Sequence, residues 1–527
     1  MSKSYRVHPA IGVARLGSSM ETFVGPEIPG TSPSPSDGQF KRDGRLKRQA
    51  TRFRVFEYDS DHPDAEPVEV DLSRGDVAKI QWRVSLANRK AAGDNILRVT
   101  PSKRNPGIAE ADLVIAPSGK TLDTPGQQEK FDDGAFRGDP VFLGDATVEP
   151  SGTLVVAGGL GKSDFVLKPG ENGGYSAGGS LSFDNNPFWY DDTSDGPVEA
   201  TIEFTDGTTT AVKPAWIIVG PADFAPGVGN VVTLYDLMLD VCVRNFSLNT
   251  SLFDGGKFRS DYRPSYTNEI YPILHRASQQ GWVNKLANLG HVGAHLSRHD
   301  DLSLEPDANG DPHQAARTAI FSKLRDPDNP GSSGNMPRLT GDLDGAVYPT
   351  QGLTFTRTQF HLMRQWKDGK FVNDWAGAFT PEATVSARGL DIAALESCAG
   401  GAFFPGIEVN RIVALRLNIY DVDSSDRADE IRLKPASIDQ LRSPGYLTEG
   451  NALPWQADFL KCAGSWWPAQ RPDEVFEHSG SSQVAWTRGK ISNHKDMVQR
   501  WHELGIVVQV GEEYHEQERN PDGMFMA

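Results

Sequence analysis

Two spacings of apolar residues divide the chain. Val68-Glu69-Val70-Asp71-Leu72 and Ala78-Lys79-Ile80-Gln81-Trp82-Arg83-Val84 put apolar side chains at every second position, the period of a strand with one buried face. Residues 5–16, 112–115, 153–157, 200–204 and 215–219 read as further strands. The turn pairs Asn186-Pro187, Asp195-Gly196 and Asp206-Gly207 punctuate this half of the chain. Residues 25–43 are polar and proline-rich and predict a loop. After Pro226 the spacing lengthens to that of helices, at 230–240, 270–289, 313–324, 358–366, 392–398 and 496–504. Gly505 closes the last of these before a final strand at 506–510. The pattern predicts an α+β protein. Residues 1–225 form a mainly antiparallel β N-terminal domain, and residues 226–527 form a mixed, loop-rich, partly helical C-terminal domain.

Composition narrows the functions available. The chain has 527 residues, enough for two or three domains with real cores, and a formal charge of −17. Such a surface repels phosphate, so nucleic acid is excluded as a partner. Lys41-Arg42-Asp43-Gly44-Arg45-Leu46-Lys47-Arg48 is the basic exception and reads as a solvated loop. No apolar run reaches membrane-spanning length and the start lacks a signal-peptide core, which implies a soluble chain made in the cytoplasm. Export by an unconventional route stays open. The three cysteines, Cys242, Cys398 and Cys462, are too few and too odd for a disulfide framework.

Several motifs fall short of a known site. Gly158-Gly159-Leu160-Gly161-Lys162-Ser163 imitates a phosphate loop, but Val156 stands where that loop needs its first glycine. His291, His295 and His299 recur every four residues, yet Gly290 and Gly293 weaken the helix a metal array would require. No metal is expected, although one of these histidines, His299, is a candidate to line a site.

Two segments are unusual. In Leu395-Glu396-Ser397-Cys398-Ala399-Gly400-Gly401-Ala402-Phe403-Phe404-Pro405-Gly406-Ile407-Glu408 a helix ends at a cysteine, and paired glycines let the backbone turn closely against something. In Leu453-Pro454-Trp455-Gln456-Ala457-Asp458-Phe459 and Ser465-Trp466-Trp467-Pro468-Ala469-Gln470-Arg471, three tryptophans fall within thirteen residues. Buried indoles need acceptors for their N–H groups, which Asp458 or backbone carbonyls would supply. Read alone, each segment is also compatible with a buried structural cysteine and an aromatic cluster.

Together they resemble the family of cysteine tryptophylquinone-dependent amino-acid oxidases, whose members oxidise lysine at its ε-amine or glycine. The resemblance extends to Ile11-Gly12-Val13-Ala14-Arg15-Leu16-Gly17, to the segment from Asp184 through Trp216 to Asp223-Phe224-Ala225-Pro226, and to Leu353-Thr354, Gln359-Phe360, Leu362, Trp366, Gly369 and Phe371. It implies a cofactor made from the chain itself, a tryptophan oxidised to an ortho-quinone and bridged to the sulfur of Cys398. The tryptophan is Trp467 or Trp466, with Trp467 preferred because it immediately precedes Pro468.

The implied reaction is oxidative deamination of a primary amine, an amino acid by preference, with O2 as acceptor and H2O2 and ammonia as products. A general base is needed, and the candidates are Asp458, Glu396, Asp391, His515 and His299. Tyr514 lies beside His515 in a polar tail that could fold over the site. Arg471 is the candidate cation for a substrate carboxylate. The resemblance further implies a separate flavoprotein for maturation and a homo-oligomer. Two rival readings are an amine dehydrogenase that passes electrons elsewhere and a cofactor-free binding or scaffold protein.

Overall fold

The computed structural model describes residues 3–95, 102–172, 181–182, 186–291, 298–329, 334–340, 352–401, 403, 406–421, 430–434, 443–461, 468–477, 482–488 and 491–520. The alternating segments form strands as their pattern requires. β1 (Lys3–His8), β2 (Ile11–Arg15), β3 (Arg48–Asp59), β4 (Val77–Val84), β5 (Gly144–Val148), β6 (Leu154–Gly158), β7 (Ser194–Phe204) and β8 (Thr209–Gly220) belong to one sheet, twelve-stranded among the described residues. Its spine runs β4-β7-β8-β1-β3-β6-β5. In β4, Val77, Ile80, Trp82 and Val84 are buried while Gln81 and Arg83 face water, and the Trp82 indole donates to the Gly152 carbonyl at 2.8 Å. Most pairings are antiparallel, but β1 and β2 each run parallel to β8, and residues Thr22–Val24 run parallel to β3.

Two segments depart from the sequence reading. The opening is two strands, broken at Pro9. Residues 112–115 are not a strand: a one-turn helix, Glu110–Leu113, occupies this place, and only Ile115 bridges to Asn88. Four residues are too short a window to separate the two periods, and Glu110 and Asp112 favour the positive N-terminal end of a helix.

The helical spacing after residue 226 gives α1 (Leu234–Phe246), α2 (Tyr271–Gln279), α3 (Arg357–Lys367), α4 (Ala387–Glu396) and α5 (Trp455–Lys461). A capping box starts α1, in which the Thr233 hydroxyl accepts from Asp236 N and the Asp236 carboxylate accepts from Thr233 N. A second does the same for α3, between Thr356 and Gln359. The final predicted helix is His494–Arg500, extended by one tight turn, and the strand Ile506–Val510 pairs with Glu513–Gln517. The stretch 513–517, part of the expected tail, is therefore an ordered hairpin strand.

Side-chain alternation decides what lies on each face of β2. Ile11 and Val13 point one way and pack with Trp216 and Ile218 of β8, Leu237 and Val241 of α1, Leu395 of α4, and Cys398. Ala14 faces the main core on the other side, which includes residues from both halves of the chain. Arg15 continues the row of Ile11 and Val13, and so enters the layer that holds Cys398.

A buried acidic cluster lies between β7 and the segment before it. Asp191 pairs with Lys90 at 2.7 Å, and both side chains are almost completely enclosed. Asp195 accepts from the Trp216 indole, from Leu447 N and from the Thr448 amide and hydroxyl. Asp192 is poorer: one oxygen accepts from Lys162 N at 3.0 Å and the other has no partner among the described residues. Burial pushes the Asp192 carboxyl up from 3.8 to about 7. An acid harder to ionise when folded costs stability as pH rises from its unfolded to its folded value, here across pH 4 to 7. Asp192→Asn removes that titration. Its stability relative to wild type is expected to improve by a few kcal/mol, up to about 4, between pH 4 and pH 8. Urea unfolding at the two pH values checks this, and an unchanged difference would contradict it.

Candidate active site around Cys398

The α4 helix starts at Ser386, whose side chain accepts from Gly389 N, and ends at Glu396. Cys398 follows in a turn sealed from solvent. Its carbonyl accepts from Leu234 N at 2.9 Å, and Gly400 N donates to the Val232 carbonyl at 2.9 Å. A side chain at Gly400 would bring a Cβ within 2.1 Å of the Thr233 carbonyl oxygen. The close approach expected of the paired glycines is therefore to the first residues of α1.

Two charged residues reach the cysteine. Arg15 Nη2 donates to the Ser397 carbonyl at 2.7 Å and to Cys398 Sγ at 3.2 Å, while Nη1 forms an ion pair with Glu408 at 2.6 Å. Arg15 and Glu408 are both almost fully enclosed. Burial raises the Cys398 thiol well above its ordinary value; Glu408 adds to this and Arg15 opposes it. Burial likewise raises Glu408 and Asp223, and the Arg15 charge offsets part of each shift.

Residues 468–470 pack on the same turn. Gln470 Nε2 donates to the Ser397 carbonyl at 2.9 Å. Asn230 holds this segment from the other side, accepting from Ala469 N at 2.9 Å and donating to the Gln470 side chain at 3.2 Å. Trp466, Trp467 and Cys462 lie outside the described residues, as does His295, whereas the residues immediately after the tryptophan pair sit against the Cys398 turn. Asp458 of α5 is fully buried and accepts from Gly406 N at 3.1 Å, which ties the tryptophan-side helix to the cysteine segment. The Trp455 indole N–H, expected to use Asp458 or a carbonyl, meets no acceptor among the described residues.

The other predicted residues fall into two groups. Glu396, His299 and Tyr514 gather around α2. Arg276 of this helix pairs with Glu396 at 3.1 Å and with Asp236 at 2.9 Å. Gln279 donates to the Tyr514 hydroxyl at 2.8 Å. Tyr271 packs edge-on against His299, whose Nδ1 hydrogen-bonds with the Tyr266 hydroxyl at 3.0 Å. Burial raises Glu396 and lowers His299. His275, one turn beyond Tyr271 and stacked on it, is pushed down to about 4 by burial and is therefore a neutral imidazole at pH 7.

The second group is committed elsewhere. Asp391 accepts from Ala10 N at 2.6 Å and hydrogen-bonds with His8 Nδ1 at 2.9 Å, fixing α4 to the β1–β2 break. Arg471 is buried and its guanidinium donates to the carbonyls of Phe459 and Pro472 and to Asp473, which leaves it occupied rather than open to a carboxylate. His515 hydrogen-bonds with Glu513 at 2.8 Å and with the Glu477 carbonyl at 3.2 Å.

The remaining motifs are structural. In the glycine-rich turn, Lys162 N donates to Asp192, and a Cβ at Gly159 would meet that same carboxylate at 2.4 Å. His291 hydrogen-bonds through Nδ1 with the Ala277 carbonyl and accepts at Nε2 from Arg338 N, so neither ring nitrogen is available to a metal. Sequence reasoning gave no role to Arg15, Glu408 or His275, although Arg15 and Glu408 stand within its quoted segments. A lone charge in an otherwise apolar run was the available signal in both.

Comparison with known proteins agrees with this architecture. Residues 8–219 match the L-lysine epsilon oxidase N-terminal family, and residues 330–483 match the L-lysine epsilon oxidase C-terminal domain. An L-lysine 6-oxidase from Marinomonas mediterranea is 29% identical over 530 aligned positions, spanning 86% of this chain and 70% of that protein. Two solved structures of lysine epsilon-oxidase from the same organism share the fold. A crystal structure of the L-Lys epsilon-oxidase superimposes with a TM-score of 0.77 at 23% identity, covering 98% of this chain and 95% of that one. The Schiff base intermediate of that enzyme with L-Lys gives 0.75 at 22% identity, over the same shares of both chains. With both halves matched in order, the chain belongs to the L-lysine epsilon oxidase family and is an amino-acid oxidase.

Proposed function

We propose that the chain oxidatively deaminates the primary amine of an amino acid, using a cysteine tryptophylquinone formed from Cys398 and Trp467 or Trp466. Dioxygen is the acceptor, and hydrogen peroxide and ammonia are released. The observation that carries this reading is the enclosed Cys398 sulfur, held by Arg15 at the turn on which residues 468–470 pack. These residues fit the group. A structural cysteine needs no charged partners, whereas this one has a guanidinium on its sulfur and a carboxylate beside it.

The quinone supplies an electrophilic carbonyl and a two-electron sink that ordinary side chains lack. The chain's own residues supply the rest. Burial holds His275 neutral at pH 7 and shifts His299 in the same direction, which makes their unprotonated ring nitrogens the candidate bases. Glu396, whose carboxyl is raised by burial, is a further group able to exchange a proton there. The Arg276 bridge fixes Glu396 relative to α1, and the hydrogen bond from Gln279 fixes Tyr514. L-lysine is the first substrate to test, because the relatives are named for it.

Production together with the flavoprotein expected for maturation is predicted to give lysine-dependent oxygen uptake and peroxide, with a covalent Cys398–indole peptide on mass mapping. The chain produced alone is predicted to be an inactive precursor. Amine-dependent dye reduction without oxygen uptake would reassign the acceptor. A free thiol at Cys398 and unoxidised indoles in natively matured protein would overturn the reading.

A further inference from the structure

We infer that Glu408 and Arg15 are the groups that prepare the Cys398 sulfur for bonding, with Glu408 as the base for the thiol proton and Arg15 as the donor that stabilises the thiolate. The inference rests on the quinone reading and adds the residues that would carry out its first covalent step.

Three observations support it. Arg15 Nη2 lies 3.2 Å from Sγ and Nη1 lies 2.6 Å from a Glu408 oxygen, so one planar guanidinium spans both groups. Arg15, Cys398 and Glu408 are all almost completely excluded from solvent. The Glu408 carboxylate has the Arg15 ion pair, neither of its oxygens accepts a hydrogen bond among the described residues, and the Cys398 thiol lies close enough to act on its charge. A carboxylate enclosed without its usual donors is costly unless it has another use. Burial raises both the carboxyl and the thiol, which makes Glu408 a stronger base than an exposed carboxylate.

Charge is conserved throughout. Moving the thiol proton to Glu408 replaces a carboxylate by a thiolate next to the same guanidinium, so no net charge is created in the buried layer. The sulfur then bonds to an aromatic ring carbon. That carbon loses its hydrogen as a proton, and two electrons leave to a flavin or to dioxygen. Glu408 then releases the thiol proton to solvent, the completed thioether has no proton to hold, and Arg15 and Glu408 remain as an ion pair.

Glu408→Gln, Glu408→Asp and Arg15→Lys, each produced with the maturation partner, test this by time-resolved mass mapping of the Cys398 peptide across pH. Wild type is expected to cross-link fully. Glu408→Gln is expected to slow cross-linking about a hundredfold and to make its rate rise with pH, because the thiol must then ionise unaided. Glu408→Asp and Arg15→Lys are expected to fall between the two. A merely structural pair would lower thermal stability in all three variants without introducing the pH dependence. Cross-linking of Glu408→Gln at the wild-type rate and pH profile would overturn the inference. Should that variant fail to fold, unaltered kinetics in Glu408→Asp and Arg15→Lys would do the same. A free Cys398 thiol in the wild-type chain would remove the quinone reading, and this inference with it.

Discussion

Cys398→Ser is expected to reduce amine-dependent peroxide formation to the uncatalysed background while leaving the fold intact. The substitution is conservative in shape. The side chain sits in a layer shared with Ile11, Val13, Leu395 and Trp216, and a hydroxyl there could still accept from Arg15 and donate to Glu408. What it cannot provide is a thioether. Enzymic rate enhancements of about a millionfold or more rest here on an electron sink, so losing its anchor removes nearly all of them. Cys242→Ser is the matched control. Cys242 is buried in the same layer, with its thiol pushed up to about 12 by burial alone, and no charged group contributes to that shift. Full activity in the Cys242 variant and none in the Cys398 variant, at similar melting temperatures, is the expected pair of results. Residual activity in Cys398→Ser above a few per cent would show that the sulfur is dispensable.

Much of this arrangement was legible from spacing. Alternation in residues 77–84 sets which side chains of β4 face the core, and the Glu396-Ser397-Cys398 junction with its paired glycines marked a close approach before its partner was known. The sequence could not indicate that this partner is the start of α1, because contact between Gly400 and Thr233 depends on how two distant helices cross. The same limit hid Arg15 and Glu408. They are separated by nearly four hundred residues, and neither has a local pattern that would mark it as half of an ion pair. Asp391 illustrates the opposite limit. Its place on α4 suggested the site, but its carboxylate is used by His8 and Ala10 N. Arg471 likewise had the right charge in the right segment, and its donors are spent on its own neighbourhood. Charge type and proximity in sequence therefore nominated residues, and hydrogen-bond accounting shows which of them already have partners.

Lys90→Met is expected to destabilise the chain by about 3–5 kcal/mol, because it leaves the Asp191 charge buried without its counterion. The pair is enclosed on both sides at 2.7 Å, and Lys90 Nζ also donates to the Ala452 carbonyl at 2.9 Å. Asp191 accepts in addition from Asn88, from the Thr193 amide and hydroxyl, and from Trp455 N at 3.1 Å. Trp455 N is the first amide of α5, the helix that leads toward the candidate quinone tryptophans. The pair thus joins the N-terminal sheet to the segment on which cofactor formation depends, and a folding defect here should also lower the cross-linked fraction. Lys90→Met with Asp191→Asn removes the charge while keeping an oxygen for the surrounding donors, and should recover more than half of the loss. If the single substitution costs less than about 1 kcal/mol in urea unfolding, the ion pair contributes little to this junction. The junction would then be held by its backbone hydrogen bonds rather than by charge.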